Sequence, residues 1–274
     1  MNVVALMYHD LARPGEEDTS GFPGGDAARY KLTPDRFLDH LGAIRRRISA
    51  GPTTVDRLPS AGGPDRPVPL LLTFDDGGAS AEAIADHLES VGWRGHFFVT
   101  AGYLDRPSFL ARRAVRDLCD RGHVVGSHSW SHPLRMAHCS PARLREEWKR
   151  STGTLGEIAG TPVRTASVPG GDHSTLVAHT AIEAGIQWLF TSLPTIRAHR
   201  LDGCWILGRY AIQRSMSAAT AAALADGDVA PRLRQRAAWD ARQICKTLGG
   251  SFYLRARNRI LGGSPDVRWG DEVP

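Results

Sequence analysis

The stretch Leu70-Leu71-Leu72-Thr73-Phe74-Asp75-Asp76-Gly77 begins as an uninterrupted apolar run and ends in two adjacent carboxylates. Such a run is typical of a strand that is buried on both faces, as in the parallel sheets of α/β proteins. Enzymes of this class usually place their active sites at the carboxyl ends of these strands. Asp75 and Asp76 are therefore candidate functional residues, although Asp-Asp-Gly is also favourable turn chemistry.

A second segment, His128-Ser129-Trp130-Ser131-His132-Pro133, follows the apolar pair Val124-Val125. The i, i+4 spacing predicts that His128 and His132 lie on one side of a helical turn, where both imidazoles reach one ion. Together with one aspartate they leave coordination positions open for water and substrate, as a catalytic metal site requires. The mixed nitrogen and oxygen donors favour one divalent ion, with Zn²⁺ as the best fit and Co²⁺, Ni²⁺ or Mn²⁺ as alternatives. The other interpretation is a capped turn with two surface histidines.

Short apolar segments alternate with helical patterns over residues 1–215, which predicts a parallel sheet with helical crossovers, closed into a barrel. The segments predicted as strands are residues 3–7, 70–74, 95–99, 123–126, 163–168, 188–190 and 204–212. Residues 53–55 fit a further short strand, and the Gly- and Pro-containing residues 14–26 fit a long exposed loop. Residues 216–274 are predicted to form a helical C-terminal extension packed on the barrel, with helices over 218–225 and 232–248.

The composition of the 274 residues, 42% hydrophobic and 23% charged, is that of a globular protein with a large core. A net charge of +5 spread through the chain does not indicate nucleic-acid binding, and no glycine-rich nucleotide motif follows a strand. Arg255, Arg257 and Arg259 fit either contact with a membrane surface or anionic polymer, or a solvated helix face. The absence of signal-peptide features and of a run of roughly 18 apolar residues predicts a cytoplasmic protein.

With these two motifs the chain resembles the polysaccharide deacetylases, the carbohydrate esterases with a NodB-type domain. The resemblance implies that Asp75 is the general base and that Asp76, His128 and His132 bind the metal. It also implies a distorted (β/α)7-type barrel that removes N- or O-acetyl groups from amino sugars by hydrolysis. The resemblance covers roughly residues 1–200 and is specific in these two motifs.

The family's third motif usually reads Arg-x-Pro-x-Gly, with the arginine orienting the base. Here residues 167–171, Ser-Val-Pro-Gly-Gly, keep the proline and glycine but have Ser167 at the arginine position. This loss is similar to family branches that act on exported polysaccharides, and Arg164 is not assumed to replace the arginine. Pro169, Gly170 and Gly171 are predicted to contact substrate, because the turn lets the backbone approach it closely. The alternative is a plain strand-to-helix turn.

The family's final motif ends in a histidine that serves as general acid, and residues 205–210 contain none. Some members look circularly permuted, with this histidine in a Tyr-His sequence near the N-terminus, which matches His9. His9 is therefore predicted to be the general acid or an oxyanion partner, and the alternative is a buried histidine with a satisfied hydrogen bond. Asp10 is predicted to lie at the substrate site and to orient His9, or else to cap a turn. Trp130 is predicted to form a sugar-stacking wall, or else to belong to the core.

These expectations converge on a metal-dependent hydrolase that removes an acetyl group from an N-acetylated amino sugar or polysaccharide precursor, with water activated by an aspartate base. One alternative is a metal-dependent amidohydrolase that acts on a small non-sugar C–N substrate. The other is an inactive glycan-binding protein, an idea motivated by the missing arginine and the missing final histidine. A cytoplasmic location would favour a nucleotide- or lipid-linked amino sugar as the substrate.

Overall fold

The computed structural model describes residues 1–58 and 68–243. Within them nine strands form one sheet, and seven numbered α-helices surround it together with the helical residues 229–243. The strands are β1 (Val4–Tyr8), β2 (Leu70–Phe74), β3 (His96–Val99), β4 (Val124–Ser127), β5 (Thr165–Ser167), β6 (Trp188–Phe190), β7 (His199–Leu201), β8 (Cys204–Leu207) and β9 (Tyr210–Ala211). The helices are α1 (Gly25–Ala28), α2 (Pro34–Arg47), α3 (Ala81–Ser90), α4 (Arg112–Asp120), α5 (Pro141–Ala159), α6 (Thr175–Glu183) and α7 (Ala218–Asp226).

The strand order is β7-β8-β6-β5-β4-β3-β2-β1-β9, and every neighbouring pair is parallel except β7 with β8. All five residues of β1 and of β2 are buried, which explains why both segments are continuously apolar. Alternate side chains point to opposite faces of the sheet. One set packs against the helices, and the other fills the inside of the curled sheet: Val3, Ala5, Val55, Leu71, Phe98, Phe190 and Leu207.

The last strand of the barrel is bent at Gly208-Arg209. On one side β8 pairs with β6, and on the other β9 pairs with β1, at opposite ends of the strand order. Two residues between strands span roughly 10 Å at most, so this bend holds the two ends of the sheet close together. The predicted distorted (β/α) barrel is confirmed. The single strand predicted over 204–212 is wrong, because its two halves pair with different strands.

Two further expectations need correction. Residues 53–55 do not form a strand, because Val55 instead begins a short 3₁₀ turn, Val55–Arg57. The antiparallel strand β7 was not predicted, because two of its three residues are polar and exposed and the segment is too short to show an apolar pattern. The predicted loop 14–26 is also less exposed than expected, since Ser20, Gly21 and Phe22 are buried.

The region after residue 215 is helical as far as the structure describes it. Helix α7 packs against α2 and β1, and residues 229–243 are helical as well. The Gln235 side chain bonds both the N–H and the carbonyl of Ala211, which satisfies the free edge of β9. The end of the predicted helix 232–248 and the basic residues Arg255, Arg257 and Arg259 lie outside the described residues. Among the described helices, none is both long and apolar enough to cross a membrane.

Gly208 lies where the bent strand meets the loop after β6. A Cβ at this position would overlap the carbonyl oxygen of Leu193 and the side chain of Thr195. We therefore expect Gly208→Ala to lower the free energy of unfolding by about 1–3 kcal/mol, measured by urea denaturation. The control is Gly153→Ala in α5, where nothing lies within 4 Å of the added Cβ and alanine should be neutral or stabilising. Equal stability of the two variants would contradict this account of the bend.

Candidate active site

The described residues contain one cluster with the composition of a metal site, formed by Asp76, His128 and His132. One ligand atom from each lies within 4.8 Å of the others. Oδ1 of Asp76 is 3.4 Å from Nε2 of His128 and 3.7 Å from Nε2 of His132. Asp76 follows β2 and His128 follows β4, so the parallel sheet brings them together at its carboxyl edge.

The backbone that presents these side chains is not helical. Asp76, Ser129 and His132 have φ angles of 79°, 66° and 55°, in the left-handed region that non-glycine residues rarely adopt. The predicted helical turn from His128 to His132 is therefore wrong, although the two imidazoles still converge. Backbone strain of this kind persists only where the surroundings hold it in place.

Glu147 of α5 holds the 128–132 loop in that conformation. Its carboxylate is buried and accepts hydrogen bonds from the backbone N–H groups of Trp130 and Ser131, at 3.0 and 2.8 Å, and from the Ser131 hydroxyl at 2.6 Å. Arg143, one turn earlier in α5, pairs with the same carboxylate at 2.8 Å. Charge-assisted bonds to a buried group are strong, so Glu147 fixes the loop on which His132 lies.

Ser167 sets the orientation of His128. The Nδ1 atom of His128 lies 3.2 Å from the Ser167 carbonyl oxygen and 2.5 Å from its Oγ, so a proton on Nδ1 has two acceptors. That tautomer leaves the lone pair on Nε2, the atom that faces Asp76. A histidine held through one ring nitrogen with the other free is the usual arrangement of a metal ligand.

The charge states of the cluster also fit a divalent cation. Burial raises the pKa of Asp76, but its close contact with His128 and the charges of the nearby histidines in their protonated forms outweigh burial and hold the pKa well below its usual range. Burial, reinforced by His128, lowers the pKa of His132 to about 4, against the opposing effect of Asp76. Near neutral pH the cluster therefore contains a carboxylate and a neutral His132 imidazole, the forms that bind metal.

Asp75 forms a buried ion pair with Arg209, a residue that the sequence motifs did not indicate. The Arg209 guanidinium makes a bidentate pair with the carboxylate, 2.6 Å from Nη1 to Oδ1 and 2.8 Å from Nη2 to Oδ2. Arg209 is 0% exposed, and it also donates from Nη1 to the Thr73 hydroxyl and from Nε to the Thr191 carbonyl. Such a forked pair fixes both the position and the rotation of the carboxylate.

Burial raises the pKa of Asp75, but the Arg209 charge, with His128 and the Arg209 hydrogen bonds, lowers it below the usual value. The Ser167 hydroxyl adds a hydrogen bond to Oδ1 at 3.2 Å. Ser167, which stands where the family pattern has arginine, therefore links Asp75 to His128. The arginine itself comes from the bend between β8 and β9.

His9 follows β1 at the same edge of the sheet. Burial lowers its pKa, while the negative charges of Asp76 and Asp75 act in the opposite direction, which shows that His9 is electrostatically coupled to both. Its ring packs on Tyr30, with centroids 4.7 Å apart. Its buried Nδ1 has no hydrogen-bond partner among the described residues, so the alternative of a buried histidine with a satisfied hydrogen bond is not met.

Asp10 is buried and bonded to two serines. It is 3% exposed, and its Oδ1 accepts hydrogen bonds from Ser20 Oγ at 2.7 Å and Ser80 Oγ at 3.0 Å. Burial, with a contribution from Asp76, raises the pKa of Asp10 to about 6. These contacts tie the loop after β1 to the start of α3, so they do not support the predicted contact with substrate.

The remaining predicted residues lie near the site with different surroundings. Pro169–Gly171 form a 3₁₀ turn directly after β5, with φ angles of 59° at Gly170 and 66° at Gly171, and Gly170 is exposed. The Trp130 ring packs on the apolar core, and the Arg150 guanidinium lies 3.9 Å from its centroid. One face of this ring is therefore covered, which favours the core alternative over a sugar-stacking wall.

Comparison with known proteins shows which family the chain is similar to. Residues 62–189 match the family model described as polysaccharide deacetylase. A peptidoglycan-N-acetylglucosamine deacetylase of Listeria monocytogenes is 30% identical over 109 residues, which are 39% of this chain and 22% of that protein. The matched stretches cover between 22% and 57% of the curated relatives' own length.

Solved structures show the same fold. A deacetylase of Streptococcus pyogenes, determined in complex with acetate, aligns with a TM-score of 0.67 and 19% identity, over 80% of this chain and 95% of that one. The protein IcaB of Ammonifex degensii aligns with a TM-score of 0.65 and 20% identity, over 81% of this chain and 97% of that one.

The pair of Asp75 and Arg209 generates a prediction about stability. Arg209→Leu leaves Asp75 buried and unpaired, so we expect the free energy of unfolding to fall by about 3–5 kcal/mol. Adding Asp75→Asn should recover much of this loss, because no carboxylate then remains unpaired. Urea denaturation of the metal-free proteins measures both effects. Equal losses with and without Asp75→Asn would show that the cost comes from packing alone.

The same loss should depend on pH. Because the pKa of Asp75 is lowered in the folded protein, its contribution to stability is present above its ordinary pKa of 3.8 and is lost as the pH falls below that value. The difference in free energy of unfolding between wild type and Arg209→Leu should therefore be smaller below about pH 4 than near neutral pH.

Proposed function

We propose that this chain, which carries a polysaccharide deacetylase domain, is a metal-dependent hydrolase that removes the acetyl group from an N-acetylated amino sugar or its polymer. The observation that carries the proposal is the buried pair of Asp75 and Arg209 next to the cluster of Asp76, His128 and His132. A carboxylate fixed beside a candidate metal site is the arrangement needed to hydrolyse an unactivated amide. The family match supports an acetylated sugar as the substrate class.

Asp76, His128 and His132 would hold the ion, and Zn²⁺ is our first choice because two nitrogen donors and one oxygen donor suit it. When bound, a divalent ion supplies a Lewis acid that polarises the acetyl carbonyl and lowers the pKa of water. The protein side of the chemistry begins at Asp75, which is ionised near neutral pH and can accept a proton. Arg209 keeps its carboxylate from rotating away and keeps it charged.

His9 is proposed to deliver a proton to the departing nitrogen. Its lowered pKa means that the resting imidazole is neutral near neutral pH, so the proton that it donates must be taken up during the reaction, and the proton that Asp75 accepts from water is the source within the site. Asp75 and Asp76 stabilise that charged form electrostatically. The buried Nδ1 has no hydrogen-bond partner among the described residues, so no hydrogen bond at that nitrogen fixes the tautomer of the ring.

The inactive glycan-binding alternative rested partly on the missing arginine of the third motif. Arg209 answers that argument, because it binds the Asp75 carboxylate through two hydrogen bonds from a different part of the sheet, as an orienting arginine must. Four acidic and imidazole groups held at one edge of the sheet favour a catalytic centre over a binding surface.

The base is tested with Asp75→Asn. We expect this variant to bind as much Zn²⁺ per chain as wild type, since Asp76 and both histidines remain, while kcat for acetate release falls by about 10²–10⁴-fold. Asp76→Ala should lose the bound ion. Elemental analysis and acetate release measure the two properties. Asp86→Asn, an exposed aspartate in α3, is the matched control and should change neither. Full turnover by Asp75→Asn would remove that residue from the mechanism.

The proton donor is tested by comparing leaving groups. An amine must be protonated to depart, whereas 4-nitrophenolate leaves as an anion. We therefore expect His9→Gln to lower kcat about 10²-fold on an N-acetylated sugar and much less on 4-nitrophenyl acetate. His179→Gln, at an exposed histidine paired with Asp202, is the control. Equal losses on the amide and the ester would rule out a donor role for His9.

A further inference from the structure

A cavity of about 180 Å³ opens beside the candidate active site, at the carboxyl end of β5, β6 and β8. Gly171, from the turn after β5, and Thr191, which follows β6, form part of its lining. The cavity is adjacent to the group that holds the base, because the Thr191 carbonyl accepts the hydrogen bond from Nε of Arg209 at 3.1 Å. The Arg209 side chain thus connects the lining of the cavity, at Thr191, with the Asp75 carboxylate.

The cavity has a buried floor and an exposed rim. Thr191, Leu207 and Gly208 are buried and form the floor. Arg197 and His199 are exposed and lie on the rim. The space exists partly because Gly171 and Gly208 carry no side chains, and a Cβ on either would press against the loop that follows β6.

The helical residues 229–243 supply another wall of this cavity. Trp239 and Gln243 line it, and both are partly exposed. The Arg236 guanidinium lies 5.6 Å from the centroid of the Trp239 ring, farther than the 3.9 Å between Arg150 and Trp130, and the Trp239 ring still contributes to the cavity lining. The same helix is anchored by Gln235, which bonds the edge of β9 through both backbone groups of Ala211. Trp239 is therefore placed on a wall that is attached to the barrel next to the bent strand.

The lining has the chemistry of a sugar site. An indole ring offers a flat apolar face for the C–H groups of a pyranose, and threonine, histidine and amide groups offer hydrogen bonds to hydroxyls. At about 180 Å³ the cavity is far larger than the space that one buried water needs, so it has room for a small polar ligand. Asp172 and Arg197 carry opposite charges, which suits a neutral sugar better than a polyanion.

We infer that this cavity is a subsite for the sugar residue next to the one that loses its acetyl group, and that Trp239 is a specificity-determining residue of that subsite. This inference rests on the proposed function. It gives the region after residue 215 a role in substrate selection, and it means that a chain of two or more sugars is a better substrate than a single sugar.

The test compares acetylated tetrasaccharides of several linkages with their monosaccharides and with 4-nitrophenyl acetate, using the Zn²⁺-loaded full chain. Wild type should have a higher kcat/KM on at least one tetrasaccharide than on its monosaccharide. Trp239→Ala should lower the ratio of tetrasaccharide to ester kcat/KM about tenfold, through KM, because it removes a stacking surface. Trp239→Phe should restore part of that ratio.

Two controls separate a subsite from a structural effect. Leu233→Ala, on the same helix but 62% exposed and not in the cavity lining, should keep the wild-type ratio. His173→Ala, which removes a group from another part of the cavity lining, should lower the ratio even if Trp239→Ala loosens the helix. No preference for any tetrasaccharide, with ester turnover intact, overturns the subsite alone. Loss of metal-dependent turnover on every substrate overturns the proposed function itself.

Discussion

The buried pair between Asp75 and Arg209 is the interaction on which the candidate site depends. An unpaired carboxylate that is 4% exposed would take up a proton or destabilise the fold, and neither outcome leaves a base ready to act. The guanidinium also lies 5.6 Å from the Phe98 ring and 5.9 Å from the Phe190 ring, at the upper end of the apolar interior of the barrel. Arg209 therefore covers the end of the apolar interior and also orients the candidate base.

Two smaller hydrogen-bond networks position the candidate metal ligands in a similar way. Ser167 joins Asp75 to His128, and Glu147 fixes the strained loop that carries His132. Each network runs from a polar group on one element to a candidate functional residue on another, so the relative positions of base and ligands follow from the packing of strands and helices. A site built in this way is already ordered before substrate arrives.

Much of the fold and the centre of the site could be predicted because their signals are local. Leu70–Phe74 is a contiguous apolar run, and the aspartates and histidines follow strands directly. Arg209 could not be predicted in the same way, because its partner lies 134 residues away and the pairing exists only once the barrel closes. An arginine inside the otherwise apolar segment 204–212 was the available signal. Glu147 had a similar one, since it lies on the buried face of α5 with Leu144 and Trp148.

The bend at Gly208-Arg209 also determines the order in which the parts of the site can form during synthesis and folding. During synthesis Asp76, His128 and His132 leave the ribosome well before Arg209. A nascent chain therefore contains every candidate metal ligand before Asp75 has its arginine partner. The base can be oriented only after the final strand has paired with the first. The proposed hydrolysis therefore requires a completed barrel, because a partly made chain contains the candidate ligands but no oriented base.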